Sequence, residues 1–138
     1  MNSPVVLDTH AWMWLAEGRQ DLQRRAVTMM ETASESSLLR VSAISLWEIA
    51  MLEARGRLRF DIPCEDWIEA ALGLPGLSLV PLTPGICVES TRLPGEPVGD
   101  PADRLIVATA RMVSGTLITR DGRLLRYARS GNLKAMAV

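Results

Sequence analysis

The sequence predicts an α/β fold, a three-layer α/β/α sandwich around a mostly parallel sheet of four to five strands. Short apolar runs alternate with amphipathic segments along the chain, and that alternation is typical of a parallel sheet with helices on both faces. The first run, Val5–Leu7, is apolar at every position, as expected for a strand buried on both faces. Ligands of such sheets bind beyond the carboxyl ends of the strands, so we look for function there.

The first half of the chain is predicted to contain two strands and four helices. The strands are 5–7 and 38–41. The helices are a short one from Thr9 that includes Trp12 and Trp14, then 21–33, one after the second strand that ends near Gly56, and 65–72 preceded by Pro63. Residues 21–33 show the apolar spacing of an amphipathic helix. The helix after the second strand is expected to turn Trp47 inward. The four tryptophans are expected to be mostly core residues, although one or two of them, such as Trp12 or Trp14, could line a groove for a partner.

The second half of the chain continues the alternation of strands and helices. Strands are predicted at 77–80 and 116–118, with an edge strand at 133–138. Helices are predicted to start at Thr83-Pro84 and end near Leu93, and to span 102–113 and 122–129. Helix 102–113 is expected to pack Met112 inward with its other apolar residues, and the segment 94–101, rich in Pro and Gly, is predicted to be a loop.

Length and composition exclude several classes of protein. The 138 residues suit one domain spanning 1–138, and 48% apolar with 22% charged residues argues against disorder. A net charge of −1 excludes a strongly basic nucleic-acid binder but not a local basic patch.

The cysteine pattern and the hydropathy indicate the compartment. Cys64 and Cys87 form neither a CxxC motif nor a disulfide framework, so we expect buried free thiols in a reducing environment. No apolar run approaches the roughly 18 residues that span a membrane, and no secretory leader opens the chain. The expectation is a soluble cytoplasmic protein without a membrane partner.

Four acidic residues dominate the functional interpretation. Asp8, Glu48, Asp103 and Asp121 lie at the ends of apolar runs or just inside the helical segments that follow. An α/β fold can bring them to one edge of the sheet, where two carboxylates about 4 Å apart repel by roughly 4 kcal/mol at an effective dielectric near 20. Such a cluster favours a hard divalent cation, Mg²⁺ or Mn²⁺.

Each acid also has a purely structural interpretation. Asp8 could cap the helix that begins near Thr9, and Glu48 follows Ser45 at the spacing of a capping box. Asp100 is placed to cap a helix with Pro101 at its first position and an acid in its first turn. Asp121 precedes Gly122 and could form a turn. The spacing alone leaves these alternatives open.

Basic and aromatic residues surround the acids in sequence. Arg120, Arg123 and Arg126 follow the fourth predicted strand, where they could form a solvated face or hold phosphates. His10 follows Asp8 closely and is more typical of a packing or hydrogen-bonding residue than of a ligand to a hard cation.

The ordered segments VVLDTHAWMWL, VSAISLWEIAMLEARGRL, VPLTPGI, GDPADRLIVATA and LITRDGRL resemble the PIN-domain proteins, in particular the VapC-type toxins of toxin–antitoxin pairs. They run in the family's order from residue 5 to about residue 125, so the resemblance covers nearly the whole chain. A single LDTH or TRD would be a weak signal, whereas the ordered set is specific.

The resemblance implies an α/β/α fold and a Mg²⁺- or Mn²⁺-dependent endoribonuclease. Its metal-binding and catalytic acids would be Asp8, Glu48, Asp103 and Asp121, with Asp100 as either a further ligand or a helix cap. Thr119 and Ser42 would be supporting hydroxyls. The implied partners are RNA, a cognate antitoxin and a second copy of the chain in a homodimer.

The implied reaction is attack of water on phosphorus, with Arg120, Arg123 or Arg126 holding the RNA backbone. The number of metal ions, one or two, stays open. Rivals are a DNA nuclease with the same metal chemistry and a non-catalytic module that binds RNA or protein, although the presence of all four acids argues against the latter. A phosphoryl-transfer or receiver domain is disfavoured, because neither a second Asp two residues after Asp8 nor paired acids after the first strand are present.

Overall fold

A parallel sheet lies at the centre of the computed structural model, which describes residues 2–138. Its strands are β1 Val5–Leu7, β2 Leu39–Ser42, β3 Leu77–Val80, β4 Thr116–Thr119 and β5 Lys134–Ala137. Within the described residues the strand order is β3-β2-β1-β4-β5, and every neighbouring pair is parallel. The predicted α/β class and parallel sheet are confirmed, and the C-terminal strand lies at the sheet edge as expected.

Helices cover both faces of the sheet. They are α1 Thr9–Glu17, α2 Arg24–Glu35, α3 Ala43–Ala54, α4 Cys64–Leu72, α5 Pro84–Ser90, α6 Pro101–Met112 and α7 Gly122–Ala128. Because side chains alternate along a strand, Val5 and Leu7 of β1 join one core with helices α1 to α4, and Val6 joins the other with α5 to α7. The result is the predicted three-layer sandwich.

The central position of β1 determines where a crevice for ligands opens at the edge of the sheet. β1 pairs with β2 on one side and with β4 on the other, so the crossover direction reverses there. A crevice opens at such a switch point, beyond the carboxyl ends of the strands. The segments that line it are the first turns of α1, α6 and α7 and the middle of α3.

Three burial predictions are wrong. Trp47 is 56% exposed and Met112 is 51% exposed, and Cys87 is also exposed. Apolar residues occur around much of α3, so periodicity did not define its inner face, and Ile49 takes the buried position instead. Met112 is the last residue of α6. Cys87 follows Ile86, which is the α5 residue that enters the core.

None of the helices within residues 2–138 combines the length and the hydrophobicity that a membrane span requires.

Candidate active site

A cavity of about 450 Å³ opens at the carboxyl edge of β1 and β4. Five carboxylates line it: Asp8, Glu48, Asp100, Asp103 and Asp121. The remaining lining residues are Thr9, His10, Trp14, Ile106, Arg120 and Arg123. All the acids singled out in the sequence therefore meet in one place.

A larger cavity of about 620 Å³ lies against α2, but its lining includes no carboxylate among the described residues, so we place the chemistry in the smaller one.

Asp8 joins β1 to α1 and is only 8% exposed. One carboxylate oxygen accepts a hydrogen bond from the backbone N–H of Ala11 at 2.8 Å, which caps α1, and the other accepts from the Thr119 hydroxyl. Burial raises the pKa of Asp8, and these two hydrogen bonds oppose the rise. The Thr119 oxygen also accepts from the backbone N–H of Asp121 at 3.0 Å. Thr119 thus ties two of the acids together, in the supporting place that the sequence predicted.

Glu48 lies inside α3 and is held by a hydroxyl from α1. The Thr9 hydroxyl donates to Glu48 Oε1 at 2.5 Å and lies 2.8 Å from the Ser45 hydroxyl. Burial raises the pKa of Glu48, Thr9 lowers it, and the charge of Asp100 raises it again. The capping-box alternative for Ser45 is wrong, because α3 begins earlier.

Ser42 is the residue that caps α3. Its hydroxyl accepts from the backbone N–H of Ile44 at 3.2 Å, and the side chain is fully buried. Ser42 therefore orients the helix that carries Glu48, and the contact it shows is with the helix backbone.

Asp100 and Asp103 sit in the first turn of α6. Asp100 caps the helix by accepting from the Asp103 backbone N–H at 3.0 Å, and Pro101 occupies the first turn as predicted. Burial raises the pKa of Asp103 to about 7, together with the charges of Asp100, Glu48 and Asp121, while Arg123 lowers it. Burial, with the charges of three neighbouring acids, therefore disfavours a negative charge on Asp103.

Asp121 caps α7 and pairs with the nearest cation. It accepts from the Arg123 backbone N–H at 2.8 Å. The Arg123 guanidinium lies 3.0 Å from Asp121 Oδ2 and 3.4 Å from Asp103 Oδ2. Hydrogen bonding to Arg123 lowers the pKa of Asp121. In this conformation Arg123 is the positive charge shared by two of the acids.

The three arginines singled out in the sequence occupy different places. Arg120 and Arg123 line the acidic cavity. Arg126 instead lines a neighbouring cleft of about 530 Å³, which Arg123 also borders. The two clefts therefore meet at Arg123.

Sequence reasoning missed Thr9, Ser45 and Trp14. Thr9 and Ser45 are 36 positions apart, and no local pattern signals their contact. For Trp14 a signal was available: His10 and Trp14 are four residues apart on a helix that starts directly after Asp8, which places both on one face.

The donor chemistry of the cavity suits Mg²⁺ or Mn²⁺, because five carboxylates outnumber the one imidazole, that of His10, in its lining. Within residues 2–138, however, no three His, Cys, Asp or Glu side chains stand close enough to share a metal ion in this conformation. A metal ion bound here would require the carboxylates to move closer together.

Comparison with known proteins decides the family. The family model of the PIN domain matches residues 5–130. The chain belongs to the PIN-domain family. Ribonuclease VapC22 of Mycobacterium tuberculosis is 37% identical over 120 residues, which cover 87% of this chain and 88% of that protein.

Solved structures share this PIN fold at lower sequence identity. VapBC2 from Rickettsia felis, bound to a DNA fragment from its promoter, is 16% identical with a TM-score of 0.68, over 96% of this chain and 98% of that one. A toxin–antitoxin complex from Klebsiella pneumoniae is 21% identical with a TM-score of 0.55, over 85% of this chain and 86% of that one. At these identities the likeness establishes the fold.

Proposed function

We propose that this PIN-domain protein is a metal-dependent endoribonuclease and the toxin of a toxin–antitoxin pair. The observation that carries the proposal is the convergence of five carboxylates in one cavity at the carboxyl edge of the sheet. The similarity to a protein named ribonuclease VapC22 supports RNA as the substrate.

The metal would be held by Asp8, Asp103 and Asp121, with Glu48 as a direct or water-mediated ligand and Asp100 as a further candidate. When bound, Mg²⁺ or Mn²⁺ supplies Lewis-acid stabilisation of the negative charge that develops on the phosphate. Asp8 is the most firmly placed of the three, since each of its oxygens already accepts one hydrogen bond and retains a lone pair for a ligand contact.

Glu48 is the proposed general base. Its raised pKa brings it closer to the operating pH, where a carboxylate accepts protons more readily. The contact from Thr9 fixes the direction of its carboxylate. Water attacks phosphorus as Glu48 takes its proton, the bond from phosphorus to the 3′ oxygen breaks, and the departing 3′ oxygen takes up a proton from solvent. The products carry a 5′-phosphate and a 3′-hydroxyl.

The arginines would position the RNA backbone. Arg120 and Arg123 border the acidic cavity and Arg126 borders the adjoining cleft, so successive phosphates could contact successive side chains. The chain carries a net charge of only −1, and these local cations offset the repulsion between RNA and the acids.

The partner in this proposal is an antitoxin that blocks the cavity, and the protein is expected to act as a homodimer in the cytoplasm. The similar Klebsiella pneumoniae structure is itself a toxin–antitoxin complex, which supports a partner of this kind. Expression of the chain alone should inhibit growth, and coexpression of the partner should restore it.

The test is cleavage of total tRNA by the purified protein, freed of any partner, with Mg²⁺, with Mn²⁺ and with EDTA. We expect cuts with either metal, no cuts in EDTA, and none by Asp8→Asn, which keeps the cap because Asn also caps helices. Equal cleavage in EDTA or by Asp8→Asn would contradict the metal-dependent mechanism. Cleavage of single-stranded DNA is measured in parallel to distinguish the ribonuclease from a DNA nuclease. Faster cleavage of DNA than of RNA would favour the DNA nuclease.

A further inference from the structure

One wall of the acidic cavity consists of flat side chains, of which only Arg120 already has a role in the proposed function, as a contact to the RNA backbone. His10, Trp14 and Arg120 line the cavity on the side of α1 and the end of β4. The rings of His10 and Trp14 are 5.7 Å apart at a tilt of 43°. The guanidinium groups of Arg120 and Arg19 lie 4.5 and 5.0 Å from the centre of the Trp14 ring, so the exposed His10 and Arg120 offer the faces that a base can reach. We call His10, Trp14 and Arg120 the flat wall.

The flat wall is held in place from several sides. Trp14 is half-buried and packs against the core formed with α1 to α4. Arg120 donates from Nε to the backbone carbonyl of Val138 at 2.7 Å and stacks on Trp14. A surface arginine normally samples many rotamers, whereas two anchors hold this guanidinium in one orientation. His10 and Arg120 remain exposed, so a ligand can reach them.

The position of the flat wall relative to the acids is also fixed. Asp8 caps α1, and His10 and Trp14 follow it on that same helix. Arg120 stands between Thr119 and Asp121, which are joined by a hydrogen bond. The flat wall is therefore joined directly, through α1 and the end of β4, to the segments that carry Asp8 and Asp121.

The geometry points to an unpaired nucleobase of the RNA, next to the phosphate that is cut, as the ligand of the flat wall. This inference rests on the proposed ribonuclease function. Aromatic rings and guanidinium planes stack on the faces of bases, and cations over Trp rings are favourable partners in such stacks. In a duplex the base faces are covered by neighbours, so the flat wall selects single-stranded or looped RNA and contributes to the choice of cleavage site.

The test uses an RNA that the protein cuts, prepared as a pool with single abasic sites at random positions. Sequencing the cut and uncut fractions shows which bases the cleavage requires. For the wild-type protein we expect loss of one base beside the cut to reduce cleavage about 5- to 100-fold, while abasic sites farther away have little effect.

Variants then assign that requirement to the flat wall. Trp14→Leu, which keeps an apolar side chain, should cleave intact RNA more slowly by a similar factor and lose its sensitivity to the abasic site, as expected for two partners of one contact. Trp14→Phe should recover part of the sensitivity and Arg120→Gln should reduce it. The control Trp47→Leu, on an exposed tryptophan outside the cavity, should behave as wild type.

The failures can be told apart. If no RNA is cut by the wild-type protein, the proposed function fails and this inference with it. If RNA is cut but no adjacent base matters, or Trp14→Leu keeps the wild-type sensitivity, the nuclease stands and the flat wall is not a base site. Melting temperatures identify variants that have lost the fold. If Trp14→Leu is one of them, the sensitivity of Trp14→Phe to the abasic site decides the outcome.

Discussion

At the scale of single residues, the pKa of Asp103 reflects its burial and the acids around it. Burial and three neighbouring acids raise its pKa to about 7, above the value near 3.9 of an unfolded chain. The folded protein therefore binds a proton at Asp103 that the unfolded chain has released. This bound proton stabilises the folded protein in acid. The free energy of unfolding therefore falls as the pH rises toward about 7, where the folded protein also loses the proton.

This gives a pH prediction for the metal-free protein. Between pH ~5.5 and ~8 in EDTA, the free energy of unfolding should fall, and Asp103→Asn should remove a part of that fall on the order of 2 kcal/mol. Burial raises the pKa of Asp8 and Glu48 too, so the variant should retain a weaker dependence of the same sign. Urea unfolding of both proteins measures the difference, and parallel pH profiles would show that Asp103 ionises normally.

Arg123 supplies a second prediction at this scale. Its guanidinium bridges Asp103 and Asp121, so it competes with a divalent cation for the same oxygens. Arg123→Ala should bind Mn²⁺ about 5-fold more tightly, since ion pairs of exposed side chains contribute up to about 1 kcal/mol. Calorimetric titration provides the affinity. Arg126→Ala, on the adjoining cleft, is the matched control, and equal or weaker Mn²⁺ binding by Arg123→Ala would count against competition.

At the scale of secondary-structure elements, the contact between α1 and α3 orients Glu48, the proposed general base. The Thr9 hydroxyl reaches both Ser45 and Glu48. Thr9→Val keeps the shape but removes the hydroxyl, and the loss of such a supporting contact typically costs about 10- to 100-fold in activity. We expect that loss in tRNA cleavage, with near-normal cleavage by Thr9→Ser. If Thr9→Val cleaved as fast as Thr9→Ser, Glu48 would not depend on this contact.

A stability prediction belongs to the junction of α2 with β3. Gly76 has φ of +74°, and a Cβ there would lie 2.0 Å from the carbonyl oxygen of Ser34. Both the left-handed backbone and the close approach require glycine. Gly76→Ala should cost more than about 2 kcal/mol of unfolding free energy. Gly99→Ala, which meets open space and has no positive φ, should be nearly neutral in the same urea titration.

At the scale of the whole molecule, the parallel sheet could be predicted because it depends on local patterns. Val5–Leu7 is apolar at every position and reads as a buried strand, and the acids follow strands whose carboxyl ends share one edge. Trp47 was misplaced because the apolar residues of α3 do not form one narrow stripe. Thr9 with Ser45, and Trp14 with Arg120, were missed because the partners come from distant segments that only the folded chain brings together.

The central claim is that the carboxylates of this cavity bind a divalent metal. Anomalous diffraction from crystals grown with Mn²⁺ tests it most directly. We expect a manganese peak in the cavity, within bonding distance of oxygens of Asp8 and Asp103, with Arg123 withdrawn from at least one of its acids. At saturating Mn²⁺, a cavity without a peak and an Arg123 still bridging Asp103 and Asp121 would contradict the claim.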